Sequence, residues 1–136
     1  EADTVVLVHD AARPLTPPQV TERVIDAVRG GAGAVIPVLP VADTLKTVDA
    51  SGVVTGTPRR SDMVAVQTPQ GFRWDVLIRA HEAGAALGAD EARAATDDAG
   101  LVEAIGGTVH TVAGDERSMK VTRPLDLALA QILVAE

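Results

Sequence analysis

The sequence predicts a three-layer α/β domain with a mostly parallel sheet and one protruding β-hairpin arm. Continuous β-branched runs alternate with segments of helical spacing, the pattern of strands joined by crossover helices. The first run, Val5 to Val8, is apolar at every position, as strands buried on both faces are. Between Val41 and Asp62 the pattern changes to short alternating runs about the turn Asp49-Ala50-Ser51-Gly52, which marks the arm. At 136 residues the chain is read as one domain over 1–136. One Trp, one Phe and no Tyr leave the core to Val, Leu, Ile and Ala.

Each element follows from its residues. After the strand ending at His9-Asp10, Thr16-Pro17-Pro18-Gln19 has capping-box spacing, and Val20, Val24, Ala27 and Val28 then recur on one helical face until Gly30-Gly31. Ala34 to Leu39 is a strand in which Pro37 and Pro40 predict an edge position or a bend. The arm strands are Thr44 to Val48 and Val53 to Thr57, and Met63 to Gln67 returns to the sheet before a closing turn, Thr68 to Gly71. Helical spacing runs from Asp75 to Leu87, Asp90 to Ala95 fits no single pattern, and Thr96 is placed to cap a short helix, Asp97 to Ile105. Thr108 to Val112 is a strand, and a polar loop to Ser118 precedes Met119-Lys120-Val121 and a terminal helix from Pro124. In such sheets ligands lie beyond the carboxyl ends of the strands, which selects His9-Asp10, Thr68 and Ser118 to Lys120.

Composition excludes several function classes. With 12 basic and 19 acidic side chains the net charge is -7, the wrong sign for general nucleic-acid binding. The absence of Cys rules out disulfides, thiolate metal sites and a Cys nucleophile, and with no membrane-length apolar run it predicts a cytoplasmic protein. Neither Lys46 nor Lys120 follows a Gly-rich turn, so a P-loop is absent. Gly31-Ala32-Gly33 lacks the third glycine of a dinucleotide fingerprint, and His81-Glu82 lacks the second His of a zinc-protease helix. Ser51, Ser61 and Ser118 lack the glycine-flanked elbow of an esterase nucleophile.

What remains points to phosphate chemistry. Asp10, at a strand end, is either a Mg²⁺ ligand bridged to substrate phosphates or a turn carboxylate. Arg13 is either a planar fork for phosphate oxygens or a surface partner of a nearby carboxylate. Lys120 lies between Met119 and Val121, where an ammonium is expensive unless it faces an anion, a cleft or water. Arg59-Arg60, at the base of the arm, is the densest positive charge in an acidic chain and otherwise a solvated turn. Thr44, Thr68 and Thr96 each offer a hydroxyl to phosphate or sugar, against the commoner capping and turn roles.

Taken in order, Val8-His9-Asp10-Ala11-Ala12-Arg13-Pro14, Pro40-Val41-Ala42-Asp43-Thr44-Leu45-Lys46, Gln67-Thr68-Pro69-Gln70-Gly71-Phe72, Thr96-Asp97-Asp98 and Lys120-Val121-Thr122-Arg123-Pro124-Leu125-Asp126-Leu127 resemble the 2-C-methyl-D-erythritol 4-phosphate cytidylyltransferases. The resemblance covers essentially the whole chain. It implies a Rossmann-like nucleotidyltransferase fold, a homodimer joined through the arms, and Mg²⁺-dependent transfer of CMP from CTP to methylerythritol phosphate in the non-mevalonate route to isoprenoids. By the family pattern Asp10 and Lys120 flank the reacting phosphates, with Asp10 near the metal. Arg13, Thr44, Arg60, Thr68 and Thr96 match positions that hold the acceptor, Thr44 and Arg60 serving the neighbour's site. The family's opening Gly-rich loop, which cradles CTP, has no counterpart here. The chain is therefore expected to be a C-terminal portion, incomplete at its N-terminus, that binds CTP poorly and is inactive alone. The alternatives are a pentitol-phosphate cytidylyltransferase of the same fold and a non-catalytic α/β dimerisation module.

Overall fold

The computed structural model describes residues 4–86 and 96–135. The strands are β1 (Val5–Val8), β2 (Ala34–Pro40), β3 (Thr47–Val48), β4 (Val54–Gly56), β5 (Val64–Val66), β6 (Gln70–Arg73) and β7 (Val109–Ala113). The α-helices are α1 (Pro18–Arg29), α2 (Trp74–Ala86), α3 (Asp98–Ala104) and α4 (Pro124–Ala135). Residues 90–95 and the expected helix end at Leu87 lie outside the described residues.

The α/β class and the three layers hold. On one face of the sheet Val24 and Val28 of α1 pack on Val35, with Val5 and Val112 beside them. On the other, Leu77 and Ala80 of α2 and Val102 of α3 close over Ala34 and Phe72. Phe72 is the aromatic anchor of this half, fully buried. Trp74, two residues further on, is 44% exposed at the head of α2, where its backbone N–H donates to the Thr4 carbonyl at 3.0 Å.

The sheet is mixed instead of mostly parallel: β2 pairs parallel with β7, whereas the β1–β6, β2–β6 and β2–β5 ladders are antiparallel. The cause is the route of the chain after the arm. It turns back directly along β2, which needs no crossover helix, and so enters antiparallel. Gln70–Arg73, expected in part as a closing turn, is the tail of this returning run and lies between β1 and β2, with Phe72 opposite both Val6 and Ala34.

Pro37 is not at an edge. It is buried in β2, which has partners on both sides. On the antiparallel side the partner changes there from β6 to β5: Val35 faces Gly71 and Val38 faces Val66, so Ile36 and Pro37 stand opposite the longer stretch Gln67 to Gln70. A proline has no N–H to donate, and the returning strand bulges where the ladder is interrupted. The Pro37 carbonyl still accepts from Gln67 N at 2.8 Å.

Both expected threonine caps are displaced. Helix α1 has Pro17 at its N-cap with no side-chain cap, because Thr16 Oγ1 donates back to the Arg13 carbonyl at 3.2 Å. Helix α3 is capped by Asp97, which accepts from Gly100 N at 2.8 Å, and not by Thr96. The arm hairpin is shorter than expected, β3 with β4, and its turn is tied by Asp49 Oδ1, which accepts from Ser51 N at 2.9 Å and Val53 N at 3.0 Å.

At the start of α4, Asp126 accepts from Thr122 N at 3.2 Å and Arg123 N at 2.9 Å. The Arg123 side chain first, and then the Thr122 N–H, hold this carboxyl at about 2. Only Ala130 of α4 is buried among the described residues, while Leu125 is 74% exposed and Val134 68%.

At Gly71 helix α1 lies directly against the sheet. A Cβ there would collide with Val24 Cγ1 and sit 3.2 Å from Val28 Cγ2. Gly71→Ala should therefore destabilise the fold by about 1–3 kcal/mol, the range of overpacked cores. Urea unfolding of both proteins checks this, and an unchanged midpoint would mean that α1 is not seated so tightly.

Candidate active site

Three connections at the carboxyl ends of the strands, together with the head of α3, form one cleft. Residues 9–13 follow β1, the bulge 67–70 lies between β5 and β6, and 114–120 follow β7. The cleft encloses about 320 Å³ and is lined by Asp10, Arg13, Thr68, Thr96, Asp97 and Lys120 among others.

The first loop is a tight turn, with Arg13 N donating to the Asp10 carbonyl at 3.0 Å. That turn brings Arg13 Nε to 3.3 Å from Asp10 Oδ2, and Lys120 Nζ reaches the same oxygen at 3.2 Å. Two bonds staple the first loop to the third: Arg13 Nη1 donates to the Ser118 carbonyl at 2.7 Å, and Val121 N to the Ala12 carbonyl at 2.8 Å. Thr68 joins the bulge to them, its Oγ1 accepting from Asp10 N at 3.0 Å. His9 Nε2 lies 3.2 Å from the Arg13 carbonyl, which can only accept, so Nδ1 is left to accept from Thr68 Oγ1 at 3.0 Å.

Partial burial on its own would raise the Asp10 carboxyl. The hydrogen bond and charge of Lys120, and then those of Arg13, outweigh it and hold the group below its ordinary 3.8. The result is a carboxylate that stays ionised and two cations that share it at the mouth of a cleft. Such an arrangement can receive a phosphate, because an incoming anion takes over cations already in place.

Of the residues expected at the site, Asp10, Arg13, Thr68, Thr96 and Lys120 meet here. Thr44 and Arg60 are on the exposed arm and are not among the lining residues, and Arg60 Nη1 braces the arm by donating to the Ala42 carbonyl at 2.9 Å. Sequence reasoning missed Gln67, Gln70 and Asp97 as site residues. Gln70 is buried, donates to Asp97 Oδ2 at 2.8 Å and accepts from Ala99 N at 3.2 Å, fixing the α3 end of the cleft. The available signal was a pair of amides bracketing Thr68-Pro69 in a strand-like segment.

Among the described residues no group of three His, Cys, Asp or Glu is placed to hold a metal. A single carboxylate nevertheless fits Mg²⁺, which commonly takes one or two carboxylates and completes its shell with water and substrate phosphates. No helix among the described residues is long and apolar enough to cross a membrane.

A mixed sheet covered on both faces, with a charged cleft at its strand ends, makes this an α/β domain, and its likeness to solved structures is to the nucleotidyltransferase type. The chain matches 2-C-methyl-D-erythritol 4-phosphate cytidylyltransferase from Thermus thermophilus with a TM-score of 0.83 and 39% identity, over 97% of this chain and 62% of that one. It matches the Francisella tularensis enzyme of the same name with a TM-score of 0.87 and 26% identity, over 97% and 60%. The family model for 2-C-methyl-D-erythritol 4-phosphate cytidylyltransferase (IspD) matches residues 1–136, and the chain belongs to that family. Curated relatives of that name include one from Rhodococcus jostii, 56% identical over 131 residues, and one from Frankia casuarinae, 58% identical over 132. The chain spans 55% and 47% of their respective lengths.

The lowered Asp10 carboxyl has a pH signature. Its contribution to stability is complete above the ordinary carboxylate value and drains away as the pH falls through the lower folded value. Asp10→Asn should flatten the loss of urea resistance below about pH 4, where an ordinary Asp begins to protonate. Parallel acid limbs in the two proteins would mean that Lys120 and Arg13 do not hold the group.

Proposed function

We propose that this chain carries the acceptor-binding and catalytic portion of an enzyme that transfers CMP from CTP to 2-C-methyl-D-erythritol 4-phosphate, releasing pyrophosphate, in non-mevalonate isoprenoid synthesis. The observation that carries this reading is Asp10 held between Lys120 and Arg13 at the strand ends of a chain of this family. An oxygen of the acceptor phosphate attacks the α-phosphorus of CTP. A new P–O bond forms, the bond to the β-phosphate oxygen breaks, and pyrophosphate leaves with the electron pair. Two polyanions must meet for this, so positioning and neutralisation are the protein's main work.

Lys120 faces the charge that builds on the α-phosphate in the transition state, and Arg13, Thr68 and Thr96 orient the acceptor. Asp10 would hold Mg²⁺, and the bound ion would supply positive charge to the triphosphate. Thr44 and Arg60 reach the acceptor of the neighbouring subunit in a homodimer joined through the arms, a role that fits their exposed positions away from their own cleft. The cysteine-free composition accords with work in the reducing cytoplasm.

Pyrophosphate release from CTP and methylerythritol phosphate, by the protein expressed from its complete coding sequence, tests the assignment. Lys120→Ala should lower turnover about 10²- to 10³-fold, the scale of one lost transition-state donor. Near-normal turnover would remove Lys120 from the chemistry.

The arm has its own test. Arg60→Ala and Lys120→Ala proteins, each impaired, should regain activity when mixed and allowed to exchange subunits, because one site of the mixed dimer then holds both side chains. No recovery in a verified mixed dimer would refute the crossed arrangement.

A further inference from the structure

The loop that carries Lys120 is clamped at its root by a side chain with no part in the chemistry above. Gln67 is almost fully buried at the first position of the bulge. Its Nε2 donates to the Asp115 carbonyl at 2.8 Å, and its Oε1 accepts from Asp115 N at 3.0 Å. The carboxamide thus satisfies both backbone groups of one residue, as a neighbouring strand would. The backbone N–H of Gln67 still closes on the Pro37 carbonyl at 2.8 Å, and from that last ladder bond before the bulge its side chain reaches across to the loop after β7.

The neighbouring residue is fitted to the same clamp. Gly114 N donates to the Val38 carbonyl at 2.8 Å, and a Cβ on Gly114 would collide with Gln67 Oε1. Arg23 of α1 holds the other side, with Nε donating to the Ala113 carbonyl at 2.9 Å and Nη2 to that of Gly114 at 3.3 Å. From this root the chain makes one short turn, Glu116–Ser118, in which Asp115 caps Arg117 N at 2.7 Å. It then presents Lys120 to Asp10.

We propose that Gln67 is a positioning residue, which sets Lys120 for phosphoryl transfer by fixing the backbone of Asp115. This rests on the reading in which Lys120 faces the reacting phosphates. A small misplacement of such a group is enough to cost much of the rate.

The test is a double-mutant cycle on turnover, measured as pyrophosphate release at saturating CTP and methylerythritol phosphate with Mg²⁺, in protein from the complete coding sequence. Gln67→Met keeps the length of the side chain and removes both bonds. It should lower turnover about 10- to 100-fold in the otherwise unchanged protein. In a Lys120→Ala background the same change should have almost no effect, because residues that act through one another are non-additive. Gly114→Ala, which displaces the carboxamide from the opposite side, should behave in the same way and serves if Gln67→Met does not fold. An equal fractional loss in both backgrounds, or no loss from either variant while Lys120→Ala is impaired, would overturn the positioning role alone. Full turnover in Lys120→Ala would overturn the catalytic reading itself, and this inference with it.

Discussion

One missing hydrogen-bond donor organises the functional end of the molecule. Pro37 sits buried in a strand with neighbours on both sides, a place where proline is seldom found. The loss of one ladder bond costs only about 1 kcal/mol net. Its structural effect is large by comparison: the returning strand bulges opposite Ile36 and Pro37, and Gln67 and Thr68 leave the regular alternation of a strand. One of them ties the loop after β7, and the other ties the loop after β1. Three connections from different strands are thereby held in register at the sheet end.

The relative strengths of the contacts explain how the cleft can be both ordered and receptive. The Lys120–Asp10 pair is half exposed, and pairs of that kind contribute about 1 kcal/mol or less. That pair is not strong enough to define the loop that carries Lys120. The hydrogen bonds that do so involve the carbonyls of Ala12 and Ser118 and the backbone of Asp115, and few of the chemistry-bearing atoms are used in them. Lys120 is therefore parked on Asp10 at low cost, and an anion that outcompetes the carboxylate does not dismantle the scaffold.

The legible part of this architecture was the part written in periodicity. Val20, Val24 and Val28 mark the buried face of α1, and Val5 to Val8 mark a strand whose end carries Asp10, although among the described residues this strand pairs only with β6 and leaves Leu7 and Val8 exposed instead of being buried on both faces. The strand-end rule brought Asp10, Thr68 and Lys120 together before any contact was known. Strand β6 was illegible because Thr68-Pro69-Gln70-Gly71 has the composition of a turn, while its pairing with β1 and β2 is non-local. The direction of the sheet failed for the same reason, since local pattern does not say which way a strand returns from an arm. Thr16 and Thr96 had the spacing of caps, but the Arg13 carbonyl and the Asp97 side chain offered better bonds. Gln67 carried only the weak signal of one of two amides bracketing Thr68-Pro69, because a buried amide is recognised by what it touches.

The scarcity of aromatic residues limits how this protein can be watched. Trp74 is the one indole and there is no Tyr, so near-ultraviolet absorption and intrinsic fluorescence come almost entirely from one half-exposed ring at the head of α2. Strand β6 separates that ring from Gln70 at the cleft by four residues, about 13 Å of extended chain. The emission therefore reports the surroundings of the α2 head beside Thr4, and events among Asp10, Arg13 and Lys120 take place out of its sight. An optical view of the cleft calls for a second indole near the bulge, where the native chain is spectroscopically dark.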